Sequence, residues 1–401
     1  MEVLILVFLT LLLIAQYLFI FVKFKSDFMH PIFYFGYEYI LKVILGIILF
    51  YSIRDTNNLI FLTTIIISVI YIVSLNFGFL ISSRLKLITN SVIRIFNTNS
   101  ANIYLKENYK SISFMLIVFF LINMAIVAFI GEGGLQWISD PRYAYQHFRK
   151  GVGIFYAFAT ISLFLSFLVS LFYSNRRIKY ILATSLIFMF LSYFTGSKRT
   201  MLSILVFALV YWNYFLNKIR IYHMLIFIIL VSMVFIVSFS LNYETFSLHR
   251  VLEYFNYFES MQKIVEKFNG EEEHYLGEVM FSNIWHYVPR FLYEDKPAFY
   301  GGTYITHILY PGSAEKGHFV GSLEWGASYI DFGIFGVIIN GLISGSIVRI
   351  VYDAFIKSKS FFGLILILQV CYTPIFKYFS PSAAFVLFLV LIALLRIRMR
   401  N

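Results

Sequence analysis

Apolar positions along this chain do not alternate with polar ones. They form unbroken runs of about 17–22 residues, separated by short polar breaks. Runs of that length match the roughly 30 Å hydrocarbon core of a bilayer, where a helix satisfies its own backbone hydrogen bonds. A transmembrane β-barrel would instead show period-2 alternation over segments of about 10 residues. Eleven spans are predicted, at about 3–22, 33–53, 60–80, 111–130, 154–174, 180–195, 201–216, 223–242, 328–347, 361–379 and 382–396. The first run follows Met1-Glu2 with no basic segment ahead of it and no small-residue cleavage pattern after it. It reads as an uncleaved span rather than a signal peptide. The predicted class is an all-α polytopic integral membrane protein, a single transmembrane domain over 1–401.

The pattern breaks once. Between about Leu241 and Ala327, roughly 85 residues hold most of the acidic side chains and five of the eight histidines. A large loop is therefore predicted over 243–327, and chemistry is to be sought there. Composition sharpens the class: the chain is 60% hydrophobic, 20% aromatic and 13% charged. A net charge of +11 would suggest nucleic acid in a soluble protein. Here the basic residues sit mostly in short loops, which is how membrane topology is encoded, so no nucleic-acid partner is expected. The lone Cys371 lies in an apolar run, which leaves no disulfide framework and no cysteine metal cluster.

Charge also predicts sidedness. Lys23 and Lys25, the 84–110 loop, Arg176 to Lys179, Lys218 and Arg220, Arg349 to Lys359, and the tail Arg396 to Arg400 fall on one side, with few acids. The positive-inside rule puts that side in the cytoplasm, the N-terminus outside and the C-terminus inside. The 243–327 loop then faces outward, together with the loop Gly131–Gly153 and the turn Thr195-Gly-Ser-Lys-Arg-Thr200. The cytoplasmic loops contain no phosphate-cradling glycine loop and no Asp-x-Asp pair, so a nucleotide-consuming activity is not expected there.

Several residues could carry chemistry. The turn at 195–200 joins two spans of only about 15 residues, about 22 Å of helix, so it is predicted to sit below the membrane surface. Lys198 and Arg199 would lie at the depth of lipid phosphates, beside a helix N-terminus that also favours anions. The alternative is two basic side chains snorkelling to headgroups. His286-Tyr-Val-Pro-Arg290 and Lys296-Pro297 make a second basic and aromatic cluster, which could bind sugars or form an interfacial aromatic belt. Glu324 is predicted at the loop-to-membrane boundary, with Asp331 about two turns deeper. A carboxylate there could act as a base or pair with a cation. Arg142 and Arg149 are further phosphate candidates, and Glu38 and Lys42 read as an ion pair. The histidines lack metal-ligand spacing, and neither a metal nor a cofactor is expected. Gly341-x-x-x-Gly345 would permit close helix packing.

The order of these motifs resembles a known family. The turn Gly196-Ser-Lys-Arg199, the loop with Pro289-Arg290 and Asp295-Lys296-Pro297, then Gly321-Ser-Leu-Glu324 and Phe332-Gly-Ile-Phe-Gly336, are similar to the Wzy-type oligosaccharide repeat-unit polymerases. Arg142 to Gly153 fits the first outer loop of that family, and the resemblance covers roughly 130–345. The family's turn usually reads Gly-Ser-Arg; here Lys198 is inserted, and the arginine role is carried to Arg199. The resemblance implies a fold like the glycosyltransferase C superfamily and a metal-independent membrane glycosyltransferase. It implies a substrate of polyprenyl (undecaprenyl) diphosphate-linked oligosaccharide at the outer face of the inner membrane. It further implies transfer of a growing glycan to the non-reducing end of a lipid-linked repeat unit, with a chain-length regulator as a partner. Arg199, Arg290 and Arg142 are assigned to diphosphates, with Lys198 and Lys296 beside them. Glu324 is assigned as the base or acceptor-orienting group, with His286 and His318 behind it. The site is expected where the 243–327 loop folds over the turn. Two other classes remain: a lipid-linked oligosaccharide ligase, which shares the donor, and a polysaccharide flippase, which would need paired halves and midplane charges.

Overall fold

The computed structural model describes residues 2–24, 27–34, 36, 58–96, 99–148, 151–173, 177–220, 222–223, 229, 258–270, 272–288, 293–315 and 325–372. Among these, every regular element is helical. In chain order they are α1 (Glu2–Lys23), α2 (Asn58–Ile81), α3 (Lys86–Phe96), α4 (Asn99–Ile130), α5 (Gln136–Ser139), α6 (Pro141–His147), α7 (Gly153–Tyr173), α8 (Ile178–Tyr193) and α9 (Lys198–Phe215). After these come α10 (Phe258–Phe268), α11 (Glu278–Phe281), α12 (Gly302–Leu309), α13 (Pro311–Glu315), α14 (Gly326–Ser358) and α15 (Phe361–Cys371). Asn58–Arg84, Leu105–Ile130, Gly153–Tyr173 and Gly326–Ser358 are long and apolar enough to cross a bilayer. The chain is a multi-pass helical membrane protein. The predicted spans 223–242 and 382–396, the pair Glu38 and Lys42, and most of 33–53 lie outside the described residues.

The chain divides into two compact units. One comprises 1–85, 220–350 and 376–380; the other comprises 86–219, 351–375 and 381–401. In the first, α14 lies on α2 with almost no side chain between them. A Cβ at Gly345 would strike the Leu75 carbonyl, and one at Gly78 would strike the Leu342 carbonyl. Ser346 Oγ donates to the Gly78 carbonyl at 3.4 Å. The small-residue motif expected from the sequence is thus answered by a glycine on the facing helix. Such backbone approach is what drives association in lipid, where burying apolar surface gains nothing.

The start of α14 departs from expectation. Gly333 takes φ 59° and ψ −147°, a region essentially restricted to glycine. Ser328 Oγ accepts from Asn340 Nδ2 at 3.2 Å, although a straight helix would separate those residues by about 18 Å. Residues 326–332 therefore double back along 334–340. The straight part, 334–358, is about 37 Å long, enough to span alone. Asp331 accordingly lies two residues before a reversal, rather than two turns down a continuous span.

The described part of the polar loop has its own core. Helix α10 turns Phe258, Met261, Ile264, Val265 and Phe268 inward, all 3% exposed or less, at about 1.5–3 kcal/mol each. Phe258 meets Phe61 of α2 edge-on at 5.6 Å, and Met261 and Ile264 lie against Gly326. Trp325 and Tyr329, which pack together at 5.8 Å, are likewise buried.

In the second unit α4 and α7 pair along their lengths. Ser113 Oγ lies 2.8 Å from Ser166 Oγ and 2.7 Å from Ser170 Oγ, a hydroxyl cluster between two apolar helices. Phe114, Met115, Phe119 and Ile122 of α4 are exposed, as a lipid-facing surface requires. Helices α8 and α9 form a short hairpin. At 16 and 18 residues they measure about 24 and 27 Å, close to the predicted short spans.

Candidate functional site

The turn between α8 and α9 is built by its sequence. Ser197, in an extended conformation, caps α9 by accepting from the Thr200 N–H at 3.4 Å. Thr195 Oγ1 donates to the Ser192 carbonyl at 2.6 Å and closes the end of α8. Gly196 has φ 65°, and a Cβ there would collide with the Pro141 carbonyl. Glycine is needed twice over, for its conformation and for the contact.

That contact brings the segment after α4 onto the turn. Asp140 caps α6 by accepting from the Tyr143 N–H at 3.0 Å, and Pro141 opens the helix. Arg142, half-buried, then points at the turn and donates from Nη1 to the Gly196 carbonyl at 3.4 Å. Its guanidinium lies 5.5 Å from the Tyr145 ring centroid. Tyr145 packs on Tyr156 at 5.6 Å, and the Tyr156 hydroxyl donates to the Thr195 carbonyl at 3.0 Å. Two turn carbonyls are thus held by side chains from two neighbouring elements.

The electrostatics are lopsided. Lys198 opens α9 half-buried; burial first, and the Arg142 charge second, lower its pKa below the lysine value of 10.5. Arg199 follows and is exposed. Among the described residues no carboxylate lies within ion-pair distance of Arg142 or Arg199. Like charges kept together at a helix N-terminus form an anion-attracting arrangement, since the first N–H groups and the helix dipole add to the same field.

The other predicted residues fall differently. Lys296 donates to the Val288 carbonyl at 2.9 Å and lies 4.3 Å from the Tyr300 ring centroid. His286 is in the 3-10 turn Ser282–Tyr287. Arg290, His318, Glu324 and Arg149 lie outside the described residues. Asp331 is fully buried and accepts from the Val279 N–H at 3.0 Å and the Met280 N–H at 2.8 Å. It caps α11 and pins the polar loop to the hairpin at Gly333, an internal structural use. Sequence reading placed Tyr145 in the first outer loop but did not anticipate its place beside Arg142, nor Tyr156, nor the contact of Gly196 with Pro141. The Asp-Pro start of α6 carries a helix-start signal that could have placed Arg142 on the first turn of a helix.

No family model and no solved structure matches the chain. Two curated proteins do, the O-antigen polymerases of Salmonella typhimurium and Salmonella typhi. Each is 23% identical to this chain over 287 residues, covering 68% of this chain and 69% of the relative.

Proposed function

We propose that this protein is a polysaccharide polymerase of the bacterial inner membrane, acting in O-antigen or related glycan synthesis. Its substrates are polyprenyl diphosphate-linked oligosaccharides presented at the outer membrane face. The cations gathered on the Gly196 turn carry the reading, and the similarity to the two O-antigen polymerases supports it. In the reaction the bond between the anomeric carbon of the growing glycan and its diphosphate oxygen breaks. The acceptor hydroxyl oxygen takes its place, and its proton passes to a base. Negative charge grows on the departing diphosphate, and cations fixed beforehand stabilise it without reorganising.

Arg142 and Lys198 are the proposed diphosphate ligands, already held at the turn, with Arg199 as the more exposed third. Arg290 is the proposed contribution of the polar loop, and Lys296 holds that loop together. Glu324 is the proposed base for the acceptor hydroxyl, with His286 and His318 as further participants; these three rest on their sequence positions. The N-terminus outside and C-terminus inside complete the reading.

The test is polymer length and yield in cells lacking the native gene and complemented with variants. Arg142→Ala and Lys198→Ala, at wild-type protein levels, are expected to leave single repeat units at the cell surface. Normal long chains from both would overturn the assignment of the site. Loss of all surface attachment, even of single units, when the gene is deleted would point to a ligase instead.

A further inference from the structure

Helix α3 is used by none of the chemistry above. The stretch 82–106 holds Arg84, Lys86, Arg94 and Lys106, and neither Asp nor Glu. Within it α3 has 11 residues, about 16 Å, half of what is needed to cross a bilayer. It is nonetheless strongly amphipathic. Lys86, Asn90 and Arg94 recur at every fourth residue and are exposed, so they make one polar stripe along the helix. Leu87, next to Arg94 around the helix, is 84% exposed, and Ile88, further round from the stripe, is 48% exposed. Thr89, 3% exposed, lies around the helix from Leu87 on the buried side, and α3 packs on α15.

A large leucine left this open beside a polar stripe with a cation at each end fits the boundary between acyl chains and anionic headgroups. We infer that α3 is an in-plane helix that docks on anionic phospholipid, with Leu87 and Ile88 in the acyl boundary and Lys86 and Arg94 on headgroup phosphates. A second copy of the chain is a poor occupant, since a symmetric contact would set the basic stripe against itself. Charge near an anionic surface is worth about fivefold in affinity for each Lys or Arg. The docking does not depend on the polymerase reading.

The native Cys371 is buried, so a Leu87→Cys chain can be labelled at the exposed site with an environment-sensitive fluorophore. The full chain is reconstituted into vesicles of phosphatidylethanolamine, with or without phosphatidylglycerol. With phosphatidylglycerol the label should be shielded from a water-soluble quencher and reached by a lipid-soluble one. Without it, or in a Lys86→Gln/Arg94→Gln background, the label should return to water, the double change weakening docking about 25-fold. Three results would overturn the inference: a water-exposed label in both vesicles, equal shielding in both, or shielding that appears only where chains cross-link to one another.

Discussion

The cations of the Gly196 turn and those of the polar loop differ in the carboxylates beside them: Arg142 and Lys296 each donate to a backbone carbonyl, but two of the loop's three described lysines also have an acidic partner. In the loop each described lysine is answered by a group of the loop itself. Lys263 pairs with Glu259 at 3.3 Å; Lys267 pairs with Glu272 at 3.3 Å and donates to the Ile308 carbonyl at 3.2 Å; Lys296 donates to the Val288 carbonyl. The buried anion of that region, Asp331, is likewise used internally on the N–H groups of α11. At the turn Arg142 and Lys198 are held close enough for one to lower the pKa of the other, and no described carboxylate offsets Arg142 or Arg199. Carboxylate partners hold two of the loop lysines in the fold, whereas two like charges brought together at a helix N-terminus favour an anion, the basis of the diphosphate site proposed above. Counting basic residues would have ranked the loop with the turn; their partners separate them.

The contrast can be broken at several points. Gly196→Ala should have the largest effect, since the new Cβ meets the Pro141 carbonyl at a positive φ. Displacing the turn from Arg142 should cut polymer formation about 100-fold, because misplacement near 1 Å suffices for that. Polymer yield at matched protein level checks it. Asp331→Ala removes a buried acceptor from two N–H groups and should cost about 3 kcal/mol of stability, read by thermal unfolding in detergent. Whatever activity remains should show an unchanged KM.

Lys198 gives a pH signature. Its folded pKa lies below the 10.5 of an unfolded lysine, so folding releases a proton between the two values. Stability should therefore rise with pH across that window and level off above it. Binding of an anion, which needs the ammonium, should weaken over the same window. Lys198→Arg should abolish this alkaline decline in binding, because a guanidinium stays charged. The smallest effect is expected at Lys267→Ala: a half-exposed pair contributes about 1 kcal/mol or less, and polymer length should not change.

Much of the fold was legible because transmembrane runs carry their own length rule. The runs at 60–80, 154–174, 180–195 and 201–216 reappear as α2, α7, α8 and α9 within a few residues. The reversal at Gly333 was not legible: 326–347 is mostly apolar on both sides of it, and hydropathy does not register a change of backbone direction. The turn was visible as Gly-Ser-Lys-Arg, and the structure changes its ranking. Lys198 rather than Arg199 is the half-buried neighbour of Arg142. Which of two adjacent cations turns inward depends on the helical phase set by the Ser197 cap, which composition and spacing do not reveal.

The most direct test uses the purified full chain in detergent with a lipid-linked repeat unit as sole substrate, following polymer by gel. The account predicts that wild type and Lys263→Ala/Lys267→Ala polymerise alike, while Arg142→Ala/Lys198→Ala loses activity about 100-fold or more at equal thermal stability. Equal polymerisation by both double variants would contradict it.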